Sequence, residues 1–178
     1  MKSLSVFAKE ELQKFYALSS TGRTLLVSFL FFVMAQPLLG VFVQTYFWRQ
    51  THDPLKLASY YFGFFVFLPI GFALNGKLLA YFSSVRLYWV GCIFQGIVPF
   101  LIIFFQATSF TQILILGSIY GFASGFFWAN RNFLTLKATS KHDRTYYSSL
   151  ESFIGTMASI VVPFLTGWLL ILGEKTGL

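Results

Sequence analysis

Residues 87–130 read LYWVGCIFQGIVPFLIIFFQATSFTQILILGSIYGFASGFFWAN, 44 consecutive positions without a charged side chain. A helix rises about 1.5 Å per residue, so a single helix over this run would be about 66 Å long. The hydrocarbon core of a bilayer is about 30 Å thick, and about 20 apolar residues cross it. The run is therefore too long for one crossing and long enough for two. Its polar stretch Gln106-Ala-Thr-Ser-Phe-Thr-Gln112 is the expected break.

The same reading extends outward. Uncharged runs cover 24–48, 57–76 and 152–173, with charges at their ends. Five transmembrane helices are predicted: 24–48, 57–76, 87–106, 111–133 and 152–173. The fold expected is an all-α, polytopic membrane helix bundle over 24–173. Residues 1–23 form a tail, and 174–178 form the end on the opposite side. Within the tail, Val6, Phe7, Leu12, Phe15 and Tyr16 alternate with Lys9, Glu10, Glu11 and Lys14. That pattern predicts a short amphipathic helix lying on the membrane surface. A secretory signal would place a shorter apolar run nearer the start.

Composition agrees. Hydrophobic residues are 56% of the chain and charged residues 11%, against ~25% charged in a soluble domain. So few charges cannot cover an apolar interior of this size from water. One cysteine excludes a disulfide framework and multi-cysteine metal sites. No cofactor is implied.

The net charge of +7 reports orientation, because the basic residues fall between the apolar runs. Lys2, Lys9, Lys14, Arg23, Lys77, Arg86, Arg131, Lys137, Lys141 and Arg144 share one side, against Arg49, Lys56 and Lys175 on the other. Cytoplasmic loops carry the excess of Lys and Arg, which places the N-terminus inside. A nucleic-acid partner is not expected, since such proteins cluster their cations on a polar face. The partners expected are the lipid bilayer, a small solute of unknown identity, and either the rest of a transporter or another membrane subunit. A cell (plasma or inner) membrane is the expected location.

Several residues inside or beside the spans stand out. Gly117, Gly121 and Gly125 recur at four-residue spacing. A stripe without side chains lets a neighbouring backbone approach closely; it reads as helix packing, with a sliding surface as the alternative. Pro37, Pro69, Pro99 and Pro163 each remove a helical hydrogen bond, producing kinks or hinges. Gln36, Gln44 and Gln95 are polar groups within spans, and Asn75 closes the second. In hydrocarbon such groups bond to neighbouring helices or line a wet cavity. Asn130-Arg131-Asn132 closes the fourth span. A lipid-facing Arg at mid-depth costs ~2.5–3.5 kcal/mol. Arg131 therefore belongs at the cytoplasmic end, or facing a protein interior or aqueous cavity. Glu151 can pair with Arg131 or Arg144, as an interfacial ion pair or a gate.

No span contains Asp or Glu, and His52 and His142 lie between spans, so a proton relay lacks its usual groups. No enzyme is expected. Phosphate-loop, HExxH and CxxC motifs are absent. Gly121-Phe-Ala-Ser124-Gly125 offers a serine but no histidine base in the membrane.

The loop Gly76-Lys-Leu-Leu-Ala-Tyr-Phe-Ser-Ser-Val-Arg86 is similar to the loop signature of the major facilitator superfamily, which runs Gly-x-Leu-Ala-Asp-x-x-Gly-Arg. Gly76 and Leu78 match. Ala80, Ser83 and Ser84 stand where the family has Asp, Gly and Arg, with Arg86 as the nearest basic replacement. Pro163-Phe-Leu-Thr-Gly167 resembles the Pro-x-x-x-Gly part of a second signature, with Val162 where Gly is usual. Topology and the glycine stripe also resemble the N-terminal half of such transporters. Their inverted three-helix repeats would pair spans two and five. Gly63, Pro69 and Gly76-Lys-Leu-Leu do parallel Gly155, Pro163 and Gly167-Trp-Leu-Leu.

The resemblance implies a solute transporter working by alternating access, with spans one and four lining the cavity. Gln36, Gln44, Asn130 and Arg131 would then contact solute, the last two nearer the cytoplasmic mouth. Gly76, Leu78, Arg86, Glu151, Pro163 and Gly167 would belong to gates and loop motifs. A family half has six spans, so the chain is expected to be an incomplete N-terminal half that does not transport alone. The alternative is a small five-span structural or accessory subunit.

Overall fold

A computed structural model describes the backbone of residues 4–176, with side chains except those of 4–8, 38, 169, 170 and 173–176. Lys2, the side chains of Val6, Phe7 and Lys175, and the far end of 174–178 lie outside the described residues.

Among the described residues the chain is helical throughout, without strands. The helices are α1 (Leu4–Ala17), α2 (Ser20–Thr51), α3 (Pro54–Leu78), α4 (Ser84–Phe105), α5 (Phe110–Ala138) and α6 (Arg144–Thr176). Five, α2 to α6, are long and apolar enough to cross a membrane. The 44-residue uncharged run breaks at Gln106, which takes the left-handed conformation (φ 44°, ψ 45°) and ends α4. Ser109 and Gln112 then close the entry to α5, each backbone N–H donating to the other's side chain.

Helix ends differ from the span ends for a common reason. Hydropathy stops at a charge, whereas a helix continues until its backbone hydrogen bonds are capped. Thus α6 starts at Arg144, eight residues before the apolar run, and carries Glu151 within it. Gly76 and Leu78 close α3, and Arg86 lies in the first turn of α4, so the loop proper is residues 79–83. Ser83 sets that boundary, its Oγ accepting from the Arg86 N–H at 3.4 Å.

Asp53 caps α3, accepting from the Leu55 N–H at 2.9 Å, with Pro54 at the first helical position. Asp53→Ala should lower stability by about 1 kcal/mol, read as an earlier thermal unfolding midpoint in detergent. An unchanged midpoint would show that the cap contributes nothing there.

The chain divides into two compact units, Leu39–Leu134 and a second made of Met1–Leu38 with Thr135–Leu178. In the first, α5 is central. Half of its most apolar stretch is buried, against 22% for α3. Phe47, Tyr60, Val98, Ile102, Ala107, Ile113 and Leu116 form its apolar core, drawn from α2, α3, α4, the turn and α5.

In the second unit, the Ser19 Oγ donates to the Ala138 carbonyl at 2.6 Å, and the Tyr146 hydroxyl to the Glu11 carbonyl at 3.1 Å. These tie α1 and the start of α2 to the α5–α6 turn. Leu12 and Tyr16 on α1 stay exposed. Glu11 also lies beside Lys14 at 2.6 Å and raises the Lys14 ammonium above its ordinary pKa.

Candidate functional site

The unit 39–134 is built on close contact between α3 and α5. A Cβ added to Gly117, Gly121 or Gly125 would overlap the carbonyl oxygens of Tyr60, Phe64 and Leu68 respectively. The fit is reciprocal: a Cβ on Gly63 would lie 2.5 Å from the Leu114 oxygen, and one on Gly71 2.5 Å from the Phe122 oxygen. Numbers rise together along both helices, so the pair is parallel, with backbone against backbone. On the other face of α5, a Cβ on Gly91 of α4 would meet the Phe127 nitrogen at 2.8 Å. The four-residue glycine stripe therefore lies in a helix–helix contact.

Polar groups follow the same seams. The Gln95 Nε2 donates to the Ser124 Oγ at 2.8 Å between α4 and α5, and both residues are buried. Ser124 is thereby engaged with an amide. At the end of the α3–α5 contact, the Asn130 Nδ2 donates to the Asn75 Oδ1 at 2.7 Å and to the Phe126 carbonyl at 2.9 Å. Asn130 is 0% exposed, and its Oδ1 accepts no hydrogen bond. Arg131 is 2% exposed, so its guanidinium lies inside the protein. The guanidinium carbon sits 5.3 Å from the Trp128 ring centre, a cation–π distance.

The other candidates are placed differently. Gln44 is exposed on α2 and lies beside the Tyr61 side chain. Tyr61 and Asn75 are fourteen residues apart on α3, about 21 Å of helix, so Gln44 and Asn130 stand toward opposite ends of this unit. Gln36 is half-buried in the part of α2 that belongs to the other unit. Gly76 and Gly167 have open space where a Cβ would go. Leu78, Glu151 and Pro163 are half-buried, and Arg86 is exposed.

Asn75, Ser124 and Trp128 are partners that the family resemblance did not single out. Asn75 and Asn130 close the second and fourth spans, which run the same way and so end on the same side. That shared end was the signal in the sequence. The chemistry of the cluster is an amide pair, a buried acceptor and a fixed positive charge. Such groups hold a polar or anionic moiety in an apolar surround. Among the described residues, no group of three or more His, Cys, Asp or Glu is placed to bind a metal.

Helices of this length and hydropathy, meeting backbone to backbone with amides and a guanidinium buried within, make the chain a polytopic integral membrane protein. Sequence comparison narrows the class. Residues 18–174 match the Major Facilitator Superfamily, and the chain belongs to that family of membrane transporters.

Two bacterial relatives are similar over most of the chain. One is the uncharacterized protein YqgE of Bacillus subtilis (strain 168), 25% identical over 133 residues, which are 75% of this chain and 31% of that protein. The other is an uncharacterized protein in the sodM 3' region of Geobacillus stearothermophilus, 25% identical over 142 residues, 79% of this chain and 65% of that protein. The chain spans less than two thirds of either relative. No solved structure matches it.

Proposed function

We propose that this chain forms one wall of the solute pathway of a facilitator-type transporter, its N-terminus cytoplasmic and its membrane the cell membrane. The pathway is completed by further spans, and solute crosses by alternating access. The observation that carries this reading is the burial of Asn130 and Arg131 at 0% and 2% exposure inside an apolar helix bundle. Polar and ionisable groups enclosed among membrane-spanning helices are costly and mark functional sites, solute pathways among them. Asn130 and Arg131 meet the solute's polar part; Gln36 and Gln44, on α2, are separate contacts along its passage.

The test uses the full transporter in proteoliposomes. Solutes are screened by class: sugars, nucleosides, peptides and aromatic cations. Gln36→Ala and Arg131→Ala should each weaken apparent solute affinity about tenfold, the loss of one good polar contact. Uptake with unchanged KM and kcat in both variants would remove the basis of the assignment. Full uptake by a larger complex in which this chain can be omitted would make it an accessory subunit instead.

A further inference from the structure

One groove lies at the start of α6. It has a volume of about 560 Å³ and is lined by Lys141, Arg144, Thr145, Ser148, Ser149 and Ser152. All six side chains are exposed. Thr145, Ser148, Ser149 and Ser152 fall at steps of three, one and three residues along the helix, which puts four hydroxyls on one face. Two cations stand at its upper end.

The Arg144 Nε and Nη2 reach back to the end of α5, with contacts of 3.4–3.5 Å to the Thr139 Oγ1 and to the Leu136 and Thr139 carbonyls. None of these uses Nη1. The guanidinium is thus oriented by neutral groups, which bring no negative charge to it. No carboxylate lines the groove. The nearest in sequence are Asp143, which accepts from the Ser140 Oγ at 2.5 Å and sits 3.6 Å from the His142 Nδ1, and Glu151, half-buried beside Ser152.

The depth of the groove follows from the helix itself. α6 has 33 residues, about 50 Å, whereas about 20 residues cross the hydrocarbon core. The hydroxyl-bearing turns precede Phe153, where the continuous apolar run takes over. The groove therefore stands at the level of the lipid headgroups, whichever side of the membrane it faces.

We propose that this groove is a binding site for a phosphate-bearing anion, and that its occupant is the headgroup of an anionic phospholipid. Two cations meet the charge, and the hydroxyls donate to the phosphate oxygens. A phosphate offers several acceptor oxygens, and charge-assisted hydrogen bonds are the strong ones. The occupant would fasten the α5–α6 turn to the membrane surface. The assignment is independent of the solute pathway and uses none of its residues.

The test reads bound lipid and needs no transport. The full chain is placed in vesicles of phosphatidylcholine doped with phosphatidylglycerol, extracted gently, and its retained lipids are counted by native mass spectrometry. Phosphatidylglycerol should be retained over phosphatidylcholine. Lys141→Gln should cut that retention about fivefold, the usual worth of one cation near an anionic surface. The pair Ser148→Ala with Ser152→Ala, exposed and neutral, should lower it further without harming the fold. Lys56→Gln, on α3, should leave it unchanged.

Equal retention in the Lys141 and serine variants would overturn the site. A loss with Lys141→Gln but not with the serine pair would mean diffuse surface attraction, which also overturns it. A parallel arm titrates inorganic phosphate against the chain in pure phosphatidylcholine vesicles. Phosphate binding that is lost in the same variants, without any preference for phosphatidylglycerol, would overturn the headgroup as occupant and leave a soluble phosphate in its place.

Discussion

Gly121→Leu should prevent stable folding of the unit 39–134, while Gly96→Ala on α4 should leave it intact. The difference lies in what each new side chain meets. A Cβ on Gly121 would overlap the Phe64 carbonyl oxygen and come within 2.7 Å of that residue's carbonyl carbon and Cα. These are backbone atoms of α3, and they cannot rotate aside. Overpacking costs about 1–3 kcal/mol even where side chains can shift. Here the whole helix must move, and Leu needs more room than a methyl group. With Gly117 and Gly125 in the same stripe, displacing α3 also loosens both neighbours.

At Gly96 no atom lies within 4 Å of the added Cβ. There Ala should be neutral or stabilising by up to about 1 kcal/mol, through its better helix propensity. The measurement is the unfolding midpoint of purified protein in mixed detergent micelles, with helicity as the signal. Similar midpoints for the two variants would mean that the close α3–α5 approach is not what holds this unit together. Gly121→Ala also separates packing from sliding. A stripe used only for packing should lose stability and uptake in proportion, whereas a sliding surface should lose uptake first.

Asn130→Leu is the second large effect. It removes the donor that Asn75 Oδ1 accepts at 2.7 Å, and Asn75 is itself 1% exposed. A buried acceptor left without a partner costs about 1–3 kcal/mol. Measured couplings between membrane helices are smaller, averaging about 0.6 and reaching about 1.7 kcal/mol, because chains unfolded in lipid also find partners. The full cycle of Asn75→Leu, Asn130→Leu and the double variant should give a coupling toward the upper end of that range. Both partners are fully enclosed, and Asn130 has a second bond to the Phe126 carbonyl. The double variant should be more stable than the sum of the single losses predicts. Additive losses would show that the two amides do not depend on each other. Uptake by the full transporter should fail in the double variant even where stability recovers, because a leucine pair restores packing and not polarity.

Much of this was legible beforehand, and the limits were specific. The break at Gln106 was readable because 44 uncharged residues exceed one crossing and the polar residues cluster in one place. The glycine stripe was readable as a small-residue face, but its counterpart on α3 was not, since Gly63 and Gly71 are eight residues apart and interleave with Tyr60, Phe64 and Leu68. Asn75 closes a span in the sequence, yet nothing in its neighbours names Asn130 as its partner. Gln44 and Asn130, read as solute contacts from spans one and four, stand toward opposite ends of one unit.

The sequence by itself determined the number of helices long and apolar enough to cross, and the charge asymmetry that proposes their direction. Length against bilayer thickness and the cost of charge in hydrocarbon are local quantities, readable from one segment at a time. Which face of each helix meets which neighbour was decided only in the tertiary structure. A soluble helix marks its inner face by being apolar on one side. These spans are apolar all round, so hydrophobicity carries no direction. The faces were selected instead by what permits close contact: missing side chains at Gly117, Gly121 and Gly125, and amides that need one another at Asn75 and Asn130.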